Sequence, residues 1–288
     1  MKTKRTALTS IELLVMVVIV ILLPAIITAS LGTARNLAKI PLCANSLRQI
    51  GAAVYDYAQI YDGNLPNVVM PAHISSSGAE EAHFYVQYRE DHRVSPSSTR
   101  LQPYRFACLY EAGLIEDARL FYCPANTDAG RMYKSYTNPS PPNTSTEWGT
   151  LPQLYNVTHY MNNWVRSGYD WFPVDKNPTL QPGRVVVDGV PLPPPPRKLC
   201  RKFDNLDPNL PYSTDILRKR DSLSHRYDEV TGLNVLYSDG RVFFQDDPNV
   251  FIHRVWDIEP SGRSTFETMA IYYCRMLLLA GRYPDQGD

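Results

Sequence analysis

Neither sign of charge is in excess in this chain. Lys and Arg total 29, Asp and Glu total 29, and the formal net charge is zero. No global field therefore points to nucleic acid or to a strongly charged substrate. The basic spots, Arg197-Lys198 and Arg218-Lys219-Arg220, are short and mixed with acids. They read as solvated surface, and no nucleic-acid partner is expected. The common catalytic signatures are missing as well: there is no phosphate loop, no G-x-S-x-G elbow, no H-E-x-x-H and no C-x-x-C pair. The sequence gives no reason to expect an enzyme. Cysteine is scarce at five residues, so an exported form could close at most two disulfides within the chain. At 288 residues the chain can bury one substantial core, as one domain with insertions.

What the chain does have is an uncharged run from Leu13 to Ile27 with one acid, Glu12, at its entry and Lys2, Lys4 and Arg5 before it. A carboxylate costs roughly 2.5–3.5 kcal/mol at the centre of a membrane helix, so Glu12 should have a partner that can be named. A cut after Ala7 supplies one: Leu8 becomes the new N-terminus and Glu12 lies fifth from a fresh α-amino group. The leader charges favour a cytoplasmic N-terminus. From Ile11 to Leu31 a helix rising 1.5 Å per residue would just span the hydrocarbon layer. A secretory signal peptide cut near Thr28-Ala29-Ser30 is the other reading of this segment. An acid inside the apolar entry is unusual there.

An amphipathic stripe follows. Leu37, Ile40, Ala44, Leu47, Gly51, Val54, Ala58 and Tyr61 recur at spacings of three and four, with Arg35, Lys39, Arg48 and Asp56 on other faces. Pro41 predicts a kink and Asp62-Gly63-Asn64-Leu65-Pro66 a stop. The two segments together predict one helix of about fifty residues, half in lipid and half covered by a head.

The string Ile11-Glu12-Leu13-Leu14-Val15 after a short basic leader resembles the N-terminal signal of type IV pilins and type II secretion pseudopilins. That family usually has Gly before the cut and Phe after it, where this chain has Ala7 and Leu8, and Pro24 falls earlier than the family's proline. Cys43-Ala44-Asn45-Ser46-Leu47-Arg48-Gln49-Ile50-Gly51, then Tyr57-Ala58, Asp62-Gly63 and Pro66, resemble a block of a pseudopilin-like family abundant in planctomycete-type bacteria. Leu120-Phe121-Tyr122-Cys123-Pro124 reads as a strand ending at proline and resembles that family's F-x-C-P segment. Ser224-His225 with Asp239-Gly240 resembles its closing H-x9-D-G segment, with thirteen residues here between His225 and Asp239.

The resemblance implies a structural subunit of a secretion or pilus-like filament. It implies cleavage between Ala7 and Leu8 by a prepilin peptidase, with methylation of the new amine. The implied partners are other pilin or pseudopilin subunits, an inner-membrane assembly platform and membrane lipid. The organisation expected is a leader at 1–7, a transmembrane helix half at 8–32, an amphipathic half at 33–66 and a globular extracytoplasmic head at 67–288. The expected fold is α+β, with the helix stripe packed on an antiparallel sheet decorated by long loops. The rival reading is an extracytoplasmic binding or enzymatic domain that uses the signal only for export and tethering.

Several local readings complete the expectation. Tyr104 to Leu114 reads as a short helix ending at Gly113, and Arg184 to Asp188 as a strand. Pro191 to Pro196 reads as an exposed polyproline spacer. Asp239-Gly240 predicts a hairpin between Asn234–Tyr237 and Arg241–Phe244 through a tight primed turn. Calcium could use Asp239, Asp246 and Asp247, but three carboxylates fall short of six to eight oxygens, so turn chemistry is the better reading. His225 has no second ligand at metal spacing and reads as a hydrogen-bonded structural histidine, with no metal assigned. Cys43–Cys123 is the leading disulfide, with Cys108–Cys123 and an all-reduced chain as alternatives.

Overall fold

The computed structural model describes residues 9–66, 86–90, 101–137, 148, 164–227, 230–260 and 263–283. The long helix α1 (Ser10–Ile60) comes first, followed by β1 (Val86–Glu90), β2 (Leu101–Pro103), α2 (Phe106–Glu111), β3 (Trp164–Arg166) and β4 (Tyr169–Trp171). Then come β5 (Val185–Val187), β6 (Val190–Leu192), β7 (Ser213–Asp215), β8 (His225–Tyr227), β9 (Val230–Leu236), β10 (Val242–Gln245), α3 (Pro248–Phe251) and α4 (Thr265–Leu279).

Both ends of α1 are capped by local chemistry. The Thr9 hydroxyl accepts from the Glu12 N–H, and the Glu12 carboxylate accepts from the Thr9 N–H at 2.8 Å, which makes a capping box. At the other end Asp62 and Gly63 take positive φ, and the Gly63 N–H donates back to the Ala58 carbonyl at 2.7 Å. Cys43, Ala44, Leu47, Ile50, Val54 and Ala58 are buried along one face, whereas Leu37 and Tyr61 lie outside the covered stretch.

The membrane-spanning half expected of α1 is corrected. Among the described residues no helix is long and apolar enough to cross a membrane. From Leu31 onward α1 carries Arg35, Lys39, Arg48 and Asp56 and is patterned to pack on the head instead.

The principal sheet is antiparallel and five-stranded, in the order β10-β9-β7-β4 with β8 also pairing β9. A three-stranded sheet, β2-β1-β3, and the β5–β6 hairpin stand beside it. Alternation along β9 sends its side chains into two different cores. Leu236 packs with Cys43, Leu47, Ile50 and Val54 of α1, and Leu233 and Val235 pack with Ile271, Met276 and Trp256 on the other side. The sheet is therefore covered on both faces, by α1 and by α4. The sequence reading supplied only the first cover. Gly51 sets the spacing of α1, because a Cβ there would lie 3.0 Å from Leu236. A second capping box, Ser264 with Glu267, starts α4.

Three local expectations change. Leu120 to Cys123 is not a strand: Ala118–Phe121 is a 3-10 turn, begun by the Asp117 carboxylate accepting from the Arg119 N–H. The proline-rich stretch is not an exposed spacer, since β6 pairs with β5, Pro196 bridges to Leu180, and Leu192, Pro195 and Pro196 are buried. The β9–β10 hairpin forms, but only Gly240 takes positive φ (+80°), with its N–H donating to the Tyr237 carbonyl. That is a turn closed by one left-handed glycine rather than a primed two-residue turn, which needs positive φ at a central residue, here Ser238 or Asp239. The loop expectations at Ser75–Gly78 and Ser95–Thr99 lie outside the described residues.

Charge is buried in the principal sheet. Asp170 on β4 is fully buried and accepts from the Leu217 N–H. Burial pushes its carboxyl up to about 6 from 3.8, against the pull of Arg131 and of the Leu217 hydrogen bond. The folded chain thus holds a proton that the unfolded chain releases. This group's stabilising contribution is complete below the ordinary carboxylate value and is lost as pH rises through about 6. Asp170→Asn is expected to remove that loss, so its stability relative to the native chain should climb between about pH 4 and pH 8 by up to about 3 kcal/mol. Urea denaturation at the two pH values measures it, and an unchanging difference would contradict it.

Candidate metal centre

Four elements bring one buried cluster together. Cys43 comes from the covered half of α1, Cys123 from just past the 3-10 turn at Ala118–Phe121, Asp215 from the end of β7 and His225 from the start of β8. Each is buried, and their potential ligand atoms all lie within 4.8 Å of one another. The His225 Nε2 is 3.2 Å from the Asp215 Oδ2 and 3.6 Å from the Cys123 Sγ.

Each placement has a local cause. Cys43 lies on the apolar stripe of α1, four residues before Leu47, so it faces the sheet. Gly168 lets the chain pass against Cys123, since its N–H donates to the Phe121 carbonyl and a Cβ there would lie 2.5 Å from the Cys123 nitrogen. Gly232, opposite His225 in the β8–β9 register, leaves room for the Phe244 ring, which a Cβ would meet at 2.5 Å. Asn234 on β9 fixes the carboxylate: its backbone N–H and its Nδ2 donate to the Asp215 Oδ2 at 2.7 and 2.9 Å.

Burial drives the cysteines and the imidazole toward their neutral forms. At His225 the hydrogen bonds with Asp215 and Cys43 outweigh burial and hold the imidazole up. At Cys43 the hydrogen bonds with Cys123 and His225 outweigh it and hold the thiol down, while burial pushes the Cys123 thiol well up. The two thiols are thus pushed in opposite directions, Cys43 down and Cys123 up.

Cys43 and Cys123, the leading disulfide from sequence, meet here without a disulfide bond, and Cys108 forms none either. His225, read as lacking a second ligand, has three metal-capable neighbours. Its acid is Asp215 and not Asp239, which lies in the hairpin turn and accepts from the Arg241 N–H. Asp247 likewise caps α3 by accepting from the Asn249 N–H, so two of the three acids weighed for calcium serve their own turns. Glu12 completes the capping box that Thr9 begins at the start of α1, and Ala7 and Leu8 lie outside the described residues.

Sequence reasoning missed Asp215 and Asn234. Asn234 stands inside the quoted hairpin segment, and a polar residue between Leu233 and Val235 in a two-faced buried strand was the available signal. Asp215 carries no such signal.

A groove of about 450 Å³ beside Asp175, Arg197, Lys198 and Lys202 is the kind of concave feature a binding head would need. Two of its polar groups are already engaged, Lys202 with the Asp62 carbonyl at 2.6 Å and Asp175 with the Asn177 N–H at 2.8 Å. No known protein family, curated protein or solved structure matches this chain.

Proposed function

We propose that this protein is a pilin-like subunit, of the pseudopilin kind, which builds a filament through α1 and carries an extracytoplasmic head. The observation that carries the reading is the division of α1 into two environments. Its second half is sunk into the head, whereas Ile11 is 75% exposed, Val18 45%, and every side chain from Leu13 to Leu23 is exposed. A helix segment that is apolar all round needs cover on every side. The described part of the head leaves it bare, and the same segment of neighbouring copies is the cover that a filament core supplies.

Glu12 gives the assembly its register. Among the described residues of one chain its carboxylate is held by Thr9. After cleavage at Ala7–Leu8 by a prepilin peptidase, the new amine of an adjacent subunit competes for it, and the attraction strengthens as apolar helices exclude water. An inner-membrane platform and other pseudopilins complete the partner set.

Glu12→Ala is expected to be processed normally yet to be excluded from filaments that also contain the native chain. Because Ala also removes the capping box, Glu12→Gln separates the effects: it keeps the hydrogen bonds to Thr9, removes the charge, and should be excluded to the same degree. Co-expression with a tagged native chain, followed by shearing and quantification of each form, measures incorporation. Efficient co-assembly of the Gln variant would contradict the charge role.

A further inference from the structure

We propose that Cys43, Cys123, Asp215 and His225 form a structural zinc site that staples α1 to the sheet. This inference does not rest on the filament reading and would hold for a head of any function.

The geometry carries it. With zinc–sulfur bonds near 2.3 Å and zinc–nitrogen and zinc–oxygen bonds near 2.0–2.1 Å, a tetrahedron has a sulfur-to-nitrogen edge of about 3.6 Å and a nitrogen-to-oxygen edge of about 3.4 Å. The Cys123 Sγ lies 3.6 Å from the His225 Nε2, and that nitrogen lies 3.2 Å from the Asp215 Oδ2. These separations already have the lengths of tetrahedral edges. The donor set, two sulfurs with one imidazole and one carboxylate, suits zinc and excludes the hard cations calcium and magnesium, which select oxygen. Four protein ligands, all buried, leave no open position for a substrate, so the site is structural rather than catalytic.

The surroundings fit the same purpose. Ligating carboxylates are normally oriented by hydrogen bonds from the next layer of residues. The Asn234 N–H and Nδ2 both donate to the Asp215 Oδ2. The same side chain reaches the Ile40 carbonyl of α1 at 3.4 Å, so the residue that orients the carboxylate also touches the helix being fastened. On binding, the protons still carried by the two sulfurs and by the His225 Nε2 leave to solvent and the metal takes their place.

The test uses the full chain, purified under reductant, stripped of metal and titrated anaerobically with cobalt(II) alone. The expected result is one cobalt per chain, with the intense visible bands of four-coordinate cobalt and a thiolate-to-cobalt charge-transfer band, all erased by stoichiometric zinc. Asn234→Ala should keep the stoichiometry and weaken affinity about 10–100-fold. The Cys43→Ser/Cys123→Ser double variant should lose the tight site. Should that variant fail to fold, metal content and thiol titration of the native chain isolated from its own cells decide instead. One zinc per chain with both thiols free supports the site. A Cys43–Cys123 disulfide without zinc overturns it, as does a weak six-coordinate cobalt spectrum or undiminished tight binding by a folded double variant.

Discussion

Replacing Arg275 by methionine is expected to cost the head about 4 kcal/mol, a large share of the roughly 5–15 kcal/mol that holds a typical domain folded. Arg275 sits on α4 with no exposed surface. Its Nη1 donates to the Leu217 carbonyl at 2.6 Å, and its Nη2 donates to the Val255 and Ile258 carbonyls at 2.8 and 2.7 Å. Its guanidinium also lies 5.0 Å from the centre of the Trp256 ring. Methionine fills much of the volume but leaves three carbonyls without these donors, at about 1–3 kcal/mol for each one left unsatisfied. Burial lowers the guanidinium to about 10, so it remains charged at neutral pH. Arg275→Lys should recover only part of the loss, because one ammonium cannot reproduce a planar fork that reaches three acceptors. Urea midpoints at unchanged slope measure both variants. A loss below about 1 kcal/mol for the methionine form would contradict the role given to Arg275.

Gly168→Ala should destabilise the head by about 3 kcal/mol and disturb the cysteine cluster at the same time. A Cβ at this position would lie 2.5 Å from the Cys123 nitrogen and 3.0 Å from the Tyr122 Cα, and backbone atoms cannot swing aside as a side chain can. The strand entry and the Cys123 backbone must separate, and the hydrogen bond from the Gly168 N–H to the Phe121 carbonyl stretches with them. Gly51→Ala is the control. Its Cβ would meet the flexible end of Leu236 at 3.0 Å, so a smaller loss is expected there. Equal losses at the two positions would count against a backbone clash at Gly168.

How much of this could be read from the chain depends on the range of the interactions concerned. The covered part of α1 is legible because Ala44, Leu47, Gly51, Val54 and Ala58 obey a local period. The hairpin at Gly240 is legible for the same reason: a glycine that must take positive φ stands between two apolar runs. Extending the helix argument into lipid fails among the described residues, where α1 from Leu31 onward carries Arg35, Lys39, Arg48 and Asp56. The buried cluster is illegible because its four donors come from segments as far apart as Cys43 and His225, and nothing in their spacing joins them. The second cover of the sheet could have been suspected from Ser264-x-x-Glu267 ahead of the apolar run Met269–Leu279. The 3-10 turn at Ala118–Phe121 shows the opposite failure. An apolar pair, Leu120-Phe121, suggests a strand, but the Asp117 cap just before it sets the backbone.

The central claim is that α1 is the assembly helix of a processed subunit, and the mass of the mature N-terminus tests it most directly. The chain recovered from its own cells should begin at Leu8, carry a methyl group on the new amine and have lost Met1 to Ala7. An intact Met1, or a first residue near Ala29, would contradict the account, because either result breaks the register between a free amine and Glu12.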